Sequence, residues 1–333
     1  LDDERDYNGG RGTLATFLRD PNHAAAWPGL RNADGTWTVR DDVFVTYRPD
    51  RGPRKAGPLS VGYAVYAGKH HFGPELGIGR VLGDRFAEPV LLVKSAWGGK
   101  SLAVDFRPPS AGGEVGPFYR RMLAEYREAL AAVSRDHPAL AGHRAQLDGV
   151  IWFQGWNDAC DEAATAAYAT NLTHLIGDLR REFAAPELPF VVGETGNWDG
   201  ETFRRNQQLG CVDPQVAANT RFVATRRFLR PAAQSPNQTH GHHWFGNGES
   251  YLRIGDALGH AMRGAIAART KVAVPAGEDP LRWREAIEAF AKEPAPPARP
   301  VVFVGSSSIR GWRTLAADMA PLPVLNRGFG GSR

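Results

Sequence analysis

The spacing of apolar residues changes near residue 89 of this 333-residue chain. The first part is rich in Gly, Pro and turn pairs, and its short apolar runs predict strands at 43–47 and 61–66. Further along, continuous apolar runs alternate with stretches whose apolar residues recur at helical spacing. This alternation predicts strands at 89–97, 149–153, 188–192 and 221–225, and helices over 117–135, 161–184, 201–209 and 249–268.

Strands that alternate with helices imply βαβ units and a parallel sheet. The predicted strands are short continuous apolar runs, as expected where helices cover both faces of the sheet. Ligands in such folds bind beyond the carboxyl ends of the strands. The residues that follow each strand are therefore the first place to search for chemistry.

A proline-rich stretch over 269–299 separates this part from the end of the chain. It holds one short predicted helix at 281–292 and has the composition of a linker. Beyond it, the pattern predicts one βαβ unit, with a strand at 301–304, a helix over 308–318 and a strand at 322–325. The sequence thus predicts a first domain over 1–268, the linker, and a second piece over 300–333.

Charge and hydropathy exclude two classes of partner. The net charge is +4, but 40 Lys and Arg are scattered among 36 Asp and Glu, so a solvated mixed surface is favoured over nucleic-acid binding. No run approaches the roughly 18 apolar residues of a membrane span. The sequence therefore predicts no nucleic-acid partner and no membrane span, and it leaves the oligomeric state open.

The chain contains two cysteines, Cys160 and Cys211, which exclude a disulfide framework and a zinc cluster. One bridge between them and two unpaired thiols are both open. The sequence carries no signal peptide, but it begins at Leu1 rather than Met. We expect that an N-terminal segment was removed or lies outside the sequence, so the missing signal says little about the compartment.

Two predicted strands end in residues suited to stabilise negative charge. Gly98 and Gly99 follow the strand at 89–97, and a glycine turn there lets a backbone N–H point into a cleft. The strand at 149–153 runs into Gln154-Gly155-Trp156-Asn157-Asp158, where a side-chain amide can donate to an oxyanion. The structural alternatives are a tight turn at the glycines and a helix cap at Asp158.

Three histidines, His240, His242 and His243, stand just before the predicted helix at 249–268. They suggest a metal site, but no Cys-rich or HExxH-type partner lies near them in the sequence. A single catalytic base is the better interpretation, because an imidazole titrates near neutral pH. The alternative is three polar surface residues.

The segment VFVGSSSIRGW at 302–312 predicts a strand that turns sharply into a helix and presents a serine at the bend. Hydrolases place a nucleophile at such a turn. Only 21 residues follow Trp312, too few to complete an active site around that serine.

Together, GWND at 155–158, GG at 98–99, a His before the last helix and GSSSI at 305–309 resemble the SGNH (GDSL-type) hydrolases. Residues 1–268 resemble the carbohydrate-esterase branch typified by sialate O-acetylesterases. The resemblance implies an α/β fold, namely a three-layer α/β/α sandwich with a mostly parallel, flavodoxin-like sheet. It also implies a serine esterase that removes O-acetyl groups from carbohydrate, without metal or organic cofactor, in an extracellular or periplasmic compartment.

Within this resemblance, Gly99 matches the oxyanion-stabilising glycine and Asn157 the block asparagine, with Gln154 before it. His243 matches the base, with His242 and then His240 as alternatives. The superfamily's Asp three residues before the His is replaced by His240, so Glu194 is the candidate orienting acid. The aromatic substrate-binding candidates of the cleft are Trp97, Trp156 and Trp244; Trp156 stands where the branch usually has Glu, which leaves sugar selectivity open.

The front of the chain lacks the Gly-Gln-Ser-Asn-Met turn that carries the nucleophile of this branch. Ser307 instead takes the nucleophile position of a second, truncated SGNH-like piece. Two hypotheses follow: the chain is a fragment of a longer two-domain esterase, or residues 301–325 dock as the missing strand and supply Ser307 to His243. A non-catalytic carbohydrate-binding module or an inactive fragment is the alternative function.

Overall fold

The computed structural model describes residues 7–65, 69–196, 200–269, 289–290, 293, 300–305 and 307–328. It divides the chain into two compact units, Leu1–Thr270 and Lys271–Arg333, which are described separately below. The predicted helix at 281–292 lies almost entirely outside the described residues.

The first unit opens with two short helices, α1 (Leu14–Phe17) and α2 (Pro21–Ala26), before its first sheet. That sheet has the order β2-β1-β3, built from β1 (Val43–Tyr47), β2 (Lys55–Pro58) and β3 (Val90–Lys94). β1 pairs antiparallel with β2 and parallel with β3, with Val45 opposite Leu92. All five residues of β1 are buried, as its continuous apolar run predicts.

The second sheet of the first unit has the order β4-β5-β6 and is parallel throughout. Its strands are β4 (Val150–Trp152), β5 (Phe190–Gly193) and β6 (Thr220–Val223). The helices between and around them are α4 (Pro117–Ala131), α5 (Val133–Asp136), α6 (Trp156–Ala159), α7 (Glu162–Glu182) and α8 (Glu201–Val212). Local sequence sets the helix ends: Asp161 caps α7 by accepting from the Ala164 N–H, and Pro117 occupies the first turn of α4.

Two helices, α3 (Glu75–Gly83) and α9 (Gly248–Arg269), pack against each other at very short range. A Cβ placed on Gly77 would lie 2.5 Å from the Asp256 backbone nitrogen, and one on Gly255 would lie 2.2 Å from the Pro74 carbonyl oxygen. Only glycine fits at such a backbone-to-backbone crossing. The sequence pattern did not predict α3, because Gly77, Gly79 and Gly83 lower its helix propensity. The helix forms nevertheless, since its packing in the fold outweighs the low propensity of these glycines.

We expect Gly255→Ala to destabilise the first unit by about 1–3 kcal/mol, because the added methyl group overpacks a crossing of two backbones. The matched control is Gly264→Ala on the same helix, where a Cβ meets nothing within 4 Å. That change should be neutral or stabilise by about 0.5–1 kcal/mol, since alanine favours helix over glycine. Urea unfolding measures both; equal effects of the two substitutions would contradict the close crossing.

The second unit contains a parallel pair of strands, β7 (Val301–Gly305) and β8 (Val324–Gly328), with α10 (Ser307–Gly311) and α11 (Leu315–Asp318) between them. Phe303 of β7 packs against Trp312, at 5.8 Å between ring centroids. The unit is the βαβ element that the sequence predicts, with two short helices in place of the single helix over 308–318. Trp312 separates them.

Most predicted elements of the first unit are present with bounds shifted by a few residues. The predicted strand at 61–66 is wrong over its described residues, 61–65, which form bends and irregular backbone. β2 forms instead at Lys55–Pro58, and residue 66 lies outside the described residues. The chain is thus a mixed α/β protein with small sheets and helices. Among the helices that the structure describes, none has the length and apolar composition needed to cross a bilayer.

Candidate active site

The loop after β3, residues 95–101, is the glycine loop of the site. Gly99 has φ of +67°, a backbone conformation that favours glycine, and a Cβ there would meet nothing within 4 Å. Gly98 and Gly99 are exposed. Glycine at this position lets the backbone bring an N–H to the surface of the loop.

Asn157 lies on α6, the single turn of helix that follows β4, and its side chain is exposed. Gly155 before it has φ of 153°, and a Cβ at that position would lie 2.5 Å from the Phe203 ring. Glycine is required at this bend for both reasons. The bend turns the chain sharply out of the strand and leaves the Asn157 amide at the surface.

Asp158 joins the glycine loop to the helix that carries Asn157. Its carboxylate accepts the backbone N–H groups of Leu102 and Ala103, each at 2.8 Å, and the Gln154 side-chain amide at 2.7 Å. The side chain is fully buried. Burial raises the pKa of Asp158, while these hydrogen bonds oppose that rise. A buried carboxylate with three donors fixes two loops in one geometry.

Like Asp158, Gln154 connects the segment after β4 to the glycine loop after β3. Its side-chain amide also donates to the Lys100 carbonyl in the glycine loop, at 2.9 Å. Its backbone carbonyl accepts hydrogen bonds from the Tyr168 hydroxyl at 2.8 Å, the Thr195 hydroxyl at 3.0 Å and the Gln207 amide at 3.1 Å. Gln154 therefore ties the ends of β4 and β5 to α7, α8 and the glycine loop.

The histidine loop, residues 239–244, ends in an unusual backbone conformation. Trp244 and Phe245 have φ of +52° and +53°, values that non-glycine residues adopt rarely and at a cost. Trp244 is 2% exposed and packs in a core cluster with Val191, Ile254 and other apolar residues. The buried indole anchors the loop and holds the histidines that precede it.

His243 has a strongly lowered pKa. Burial, together with the neighbouring His242 and His240, lowers its pKa to about 4. The imidazole is therefore neutral at pH 7 and able to accept a proton. His242 and His240 are exposed, and the His240 ring nitrogen lies 2.8 Å from the Asn237 amide oxygen.

An aromatic contact joins the histidine loop to the helix that carries Asn157. The Trp156 and His242 rings lie 5.5 Å apart, and the His242 and His243 rings lie 4.3 Å apart. Three separated sequence blocks, the glycine loop, the Asn157 helix and the histidine loop, thus meet at one edge of the first unit. This meeting is what the carboxyl-end argument predicts for a parallel sheet.

The structure gives the candidate orienting acid Glu194 a set of partners of its own. Its carboxylate accepts the backbone N–H groups of Thr225 at 2.7 Å and Arg226 at 3.0 Å, and it forms an ion pair with Arg204 at 3.2 Å. Glu194 is buried. These contacts fix the loop after β6 to the end of β5. The sequence suggested an orienting acid at Glu194 and gave no sign of this structural role.

The three candidate tryptophans have different surroundings. Trp156 is half-buried beside His242. Trp97 donates its indole N–H to the Arg48 carbonyl at 3.1 Å, and the Arg121 guanidinium lies 4.4 Å from its ring centroid. The prediction that Trp244 contacts substrate requires correction, because its ring lies in the core rather than on an open surface.

Both cysteines are free thiols, Cys160 exposed and Cys211 buried. Burial raises the pKa of the Cys211 thiol to about 12. Among the residues the structure describes, no group of three or more His, Cys, Asp or Glu side chains is arranged to hold a metal ion. Ser307 is the first residue of α10, in the second unit.

The sequence suggested that Asp158 caps a helix, whereas the structure shows its carboxylate joining two loops. Tyr168 and Gln207, which hold Gln154, gave no signal beyond their place on predicted helices. An aspartate three residues after a glycine at the end of a strand is a weak signal by itself. Only the fold brings Leu102 and Ala103 to it.

Residues 46–263, about two thirds of the chain, match the family described as carbohydrate esterase, sialic acid-specific acetylesterase. This match defines the class as a carbohydrate esterase. The chain belongs to the carbohydrate esterase, sialic acid-specific acetylesterase family.

Two solved structures resemble the chain at low similarity. A protein from Arabidopsis thaliana has a TM-score of 0.48 and 16% identity, covering 69% of this chain and 88% of its own. A carbohydrate acetylesterase from Xanthomonas citri has a TM-score of 0.47 and 16% identity, covering 74% of this chain and 55% of its own. No curated protein matches the chain. The family assignment therefore rests on the family match.

Proposed function

We propose that the chain is the site-bearing part of a serine esterase that removes O-acetyl groups from carbohydrate, with O-acetylated sialic acid as the substrate class. The observation that carries this proposal is the meeting of the glycine loop, the Asn157 helix and the histidine loop, joined by Asp158, Gln154 and the Trp156–His242 contact. Family membership supports the same chemistry.

In this proposal, the Gly99 N–H and the Asn157 amide donate to the oxyanion of the tetrahedral intermediate. Both groups are exposed, and Asp158 and Gln154 fix the loops that carry them. Preorganised donors stabilise the developing charge without reorganising during the reaction. Trp156, beside the histidine loop, provides an apolar surface for the sugar ring.

His243 acts as the general base. A serine hydroxyl attacks the acetyl carbonyl while His243 accepts its proton, and the protonated imidazole then donates that proton to the departing sugar oxygen. Water repeats the sequence on the acyl-enzyme and releases acetate. The lowered pKa of His243 keeps the base neutral before the reaction.

Ser307 is the proposed nucleophile. It is the first residue of α10, and β7 ends at Gly305, so its place between a strand and a helix is the one that the resemblance gives the nucleophile. In the alternative that we also propose, residues 300–333 are the start of a second SGNH-like domain, and Ser307 then belongs to that domain rather than to the site of His243. In either case we propose a three-layer α/β/α sandwich with a mostly parallel sheet. An extracellular or periplasmic compartment is part of the same proposal.

The test measures hydrolysis of a chromogenic acetyl ester and of O-acetylated sialic acid, together with labelling by a serine-directed phosphonate. Ser307→Ala should abolish turnover and labelling, while the neighbouring Ser308→Ala should retain both. Full activity in Ser307→Ala would remove that residue from the mechanism. Binding of the sugar without turnover in the unaltered chain would favour the carbohydrate-binding module.

A further inference from the structure

The chain on either side of the histidine loop is buried and hydrogen-bonded to itself. Ser235, before the loop, and Asn247, after it, are both buried. The Asn247 side-chain amide donates to the Ser235 hydroxyl at 3.0 Å. Between them, the Asn237 N–H donates to the Phe245 carbonyl at 2.9 Å. These bonds close the chain into a loop at its base, so the position of His243 depends on how that base is fixed.

The N-terminal segment, residues 8–14, fixes the first side of this base. The Asn8 side-chain amide donates to the Ala233 carbonyl at 3.1 Å and to the Ser235 carbonyl at 2.9 Å. These partners lie 225 and 227 positions away in the sequence. One side chain near the start of the chain therefore uses both of its donors on the strand of backbone that leads into the histidine loop.

The same segment fixes the second side of the base. The Gly248 N–H donates to the Gly12 carbonyl at 2.8 Å. A Cβ on Gly12 would lie 2.4 Å from the Gln234 carbonyl oxygen and 2.6 Å from the Asn247 amide nitrogen. A Cβ on Gly248 would lie 2.5 Å from the Leu14 backbone nitrogen. Residues before and after the histidine loop thus both lie against the N-terminal segment.

The N-terminal segment is itself held in place. Asn8, Gly9 and Gly10 have φ of +51°, +63° and +73°, a left-handed conformation that glycine adopts freely and asparagine more readily than most residues. The Thr13 hydroxyl donates to the Gly10 carbonyl at 2.9 Å. Leu14 is fully buried in a core cluster of the first unit. The segment therefore connects the base of the histidine loop to the core.

We propose that Asn8 is a positioning residue of the esterase site, whose amide fixes the base of the histidine loop and thereby holds the His243 imidazole in place. This inference rests on the proposed function of His243 as the general base. A base must lie within hydrogen-bond reach of the proton that it accepts. A misplacement of about 1 Å, caused by a change far from the chemistry, can lower the rate about a hundredfold.

Two substitutions of Asn8 remove its donors and keep the backbone conformation. Glycine adopts the left-handed region freely, so Asn8→Gly removes the side chain without straining φ. Asp also tolerates this region and matches Asn in size, but an ionised carboxylate only accepts hydrogen bonds. In Asn8→Asp it would face the Ala233 and Ser235 carbonyl oxygens. Both variants should therefore release the base of the histidine loop.

Steady-state kinetics of the full chain on a chromogenic acetyl ester is the first measurement. We expect Asn8→Gly and Asn8→Asp to lower kcat at least about tenfold and to leave KM within about twofold, because the base is misplaced while the sugar-binding surface is unchanged. The matched control is Asn32→Gly, which removes an exposed Asn whose amide donates to the Thr36 hydroxyl at 2.9 Å. Its kcat should equal that of the unaltered chain.

An NMR titration of the His243 imidazole is the second measurement, with the signal assigned from its loss in His243→Ala. Burial and the neighbouring His242 and His240 lower the pKa of His243 to about 4. A released loop exposes the imidazole to water, so its pKa should rise toward the ordinary value of 6.5 in Asn8→Gly. It should not change in Asn32→Gly.

Unchanged kcat in both Asn8 variants would overturn the proposal, as would a loss of kcat no larger than in Asn32→Gly. If the unaltered chain hydrolyses no acetyl ester, the proposed function fails, and the titration alone decides whether Asn8 positions His243. A raised pKa in both Asn8 variants then supports that role, and an unchanged pKa removes it.

Discussion

Replacing His243 by alanine should lower hydrolysis of an acetylated sugar by at least about a thousandfold, because the proposed reaction loses its only base. kcat should fall while KM changes little, since the imidazole acts on the nucleophile rather than on the sugar. Steady-state kinetics with O-acetylated sialic acid measures both values.

The control for this substitution is His240→Ala in the same loop. His240 is exposed, and we expect activity within a few-fold of the unaltered chain. If His243→Ala retained more than about a tenth of the activity, the base would be another group, with His242 the next candidate.

The pKa of His243 also predicts how stability depends on pH. The folded pKa is about 4, against an ordinary value of 6.5. As pH falls below 6.5, the unfolded chain takes up a proton that the folded protein does not, so the free energy of unfolding decreases until about pH 4. Above pH 6.5, both states are neutral and the effect is absent. Urea unfolding at pH 7 and pH 5 should show a smaller decrease for His243→Ala.

Asp158→Ala should destabilise the first unit by about 3 kcal/mol and lower turnover. The substitution removes one buried carboxylate and leaves the Leu102 and Ala103 N–H groups and the Gln154 amide without their acceptor. The glycine loop is then free to move relative to Asn157. Urea unfolding measures the stability, and kcat for the acetylated sugar reports the loss of alignment.

Asp161→Ala is the matched control, because Asp161 is a nearby aspartate that accepts one backbone N–H, from Ala164. Loss of that helix cap should cost about 1 kcal/mol and leave kcat near its original value. If Asp158→Ala matched Asp161→Ala in both stability and kcat, the Asp158 carboxylate would not be what holds the two loops together.

The positions of the candidate chemistry were predictable because they depend on local patterns. Apolar runs give β1, β3, β4 and β5, and the residues that follow β3 and β4 carry the Gly99 and Asn157 blocks. Since carboxyl ends of parallel strands meet at one edge, the convergence of these blocks follows from topology. The histidine loop was recognisable by its composition.

Other features depend on contacts between residues far apart in sequence. Asp158 binds Leu102 and Ala103, more than 50 positions away, and nothing local distinguishes that task from a helix cap. In the sequence, Trp244 is an aromatic residue beside three histidines, yet the fold buries its ring. The glycines of α3 weaken its helical signal, although the close crossing with α9 requires glycine at position 77.

The sequence by itself thus determined the mixed α/β class, most of the elements and the three candidate blocks, because period and turn residues act over a few positions. The tertiary structure alone decided which carboxylate joins the loops, which aromatic lies in the core, and how closely α3 and α9 pack. Those outcomes arise from packing and hydrogen bonds between distant segments, which no local pattern encodes.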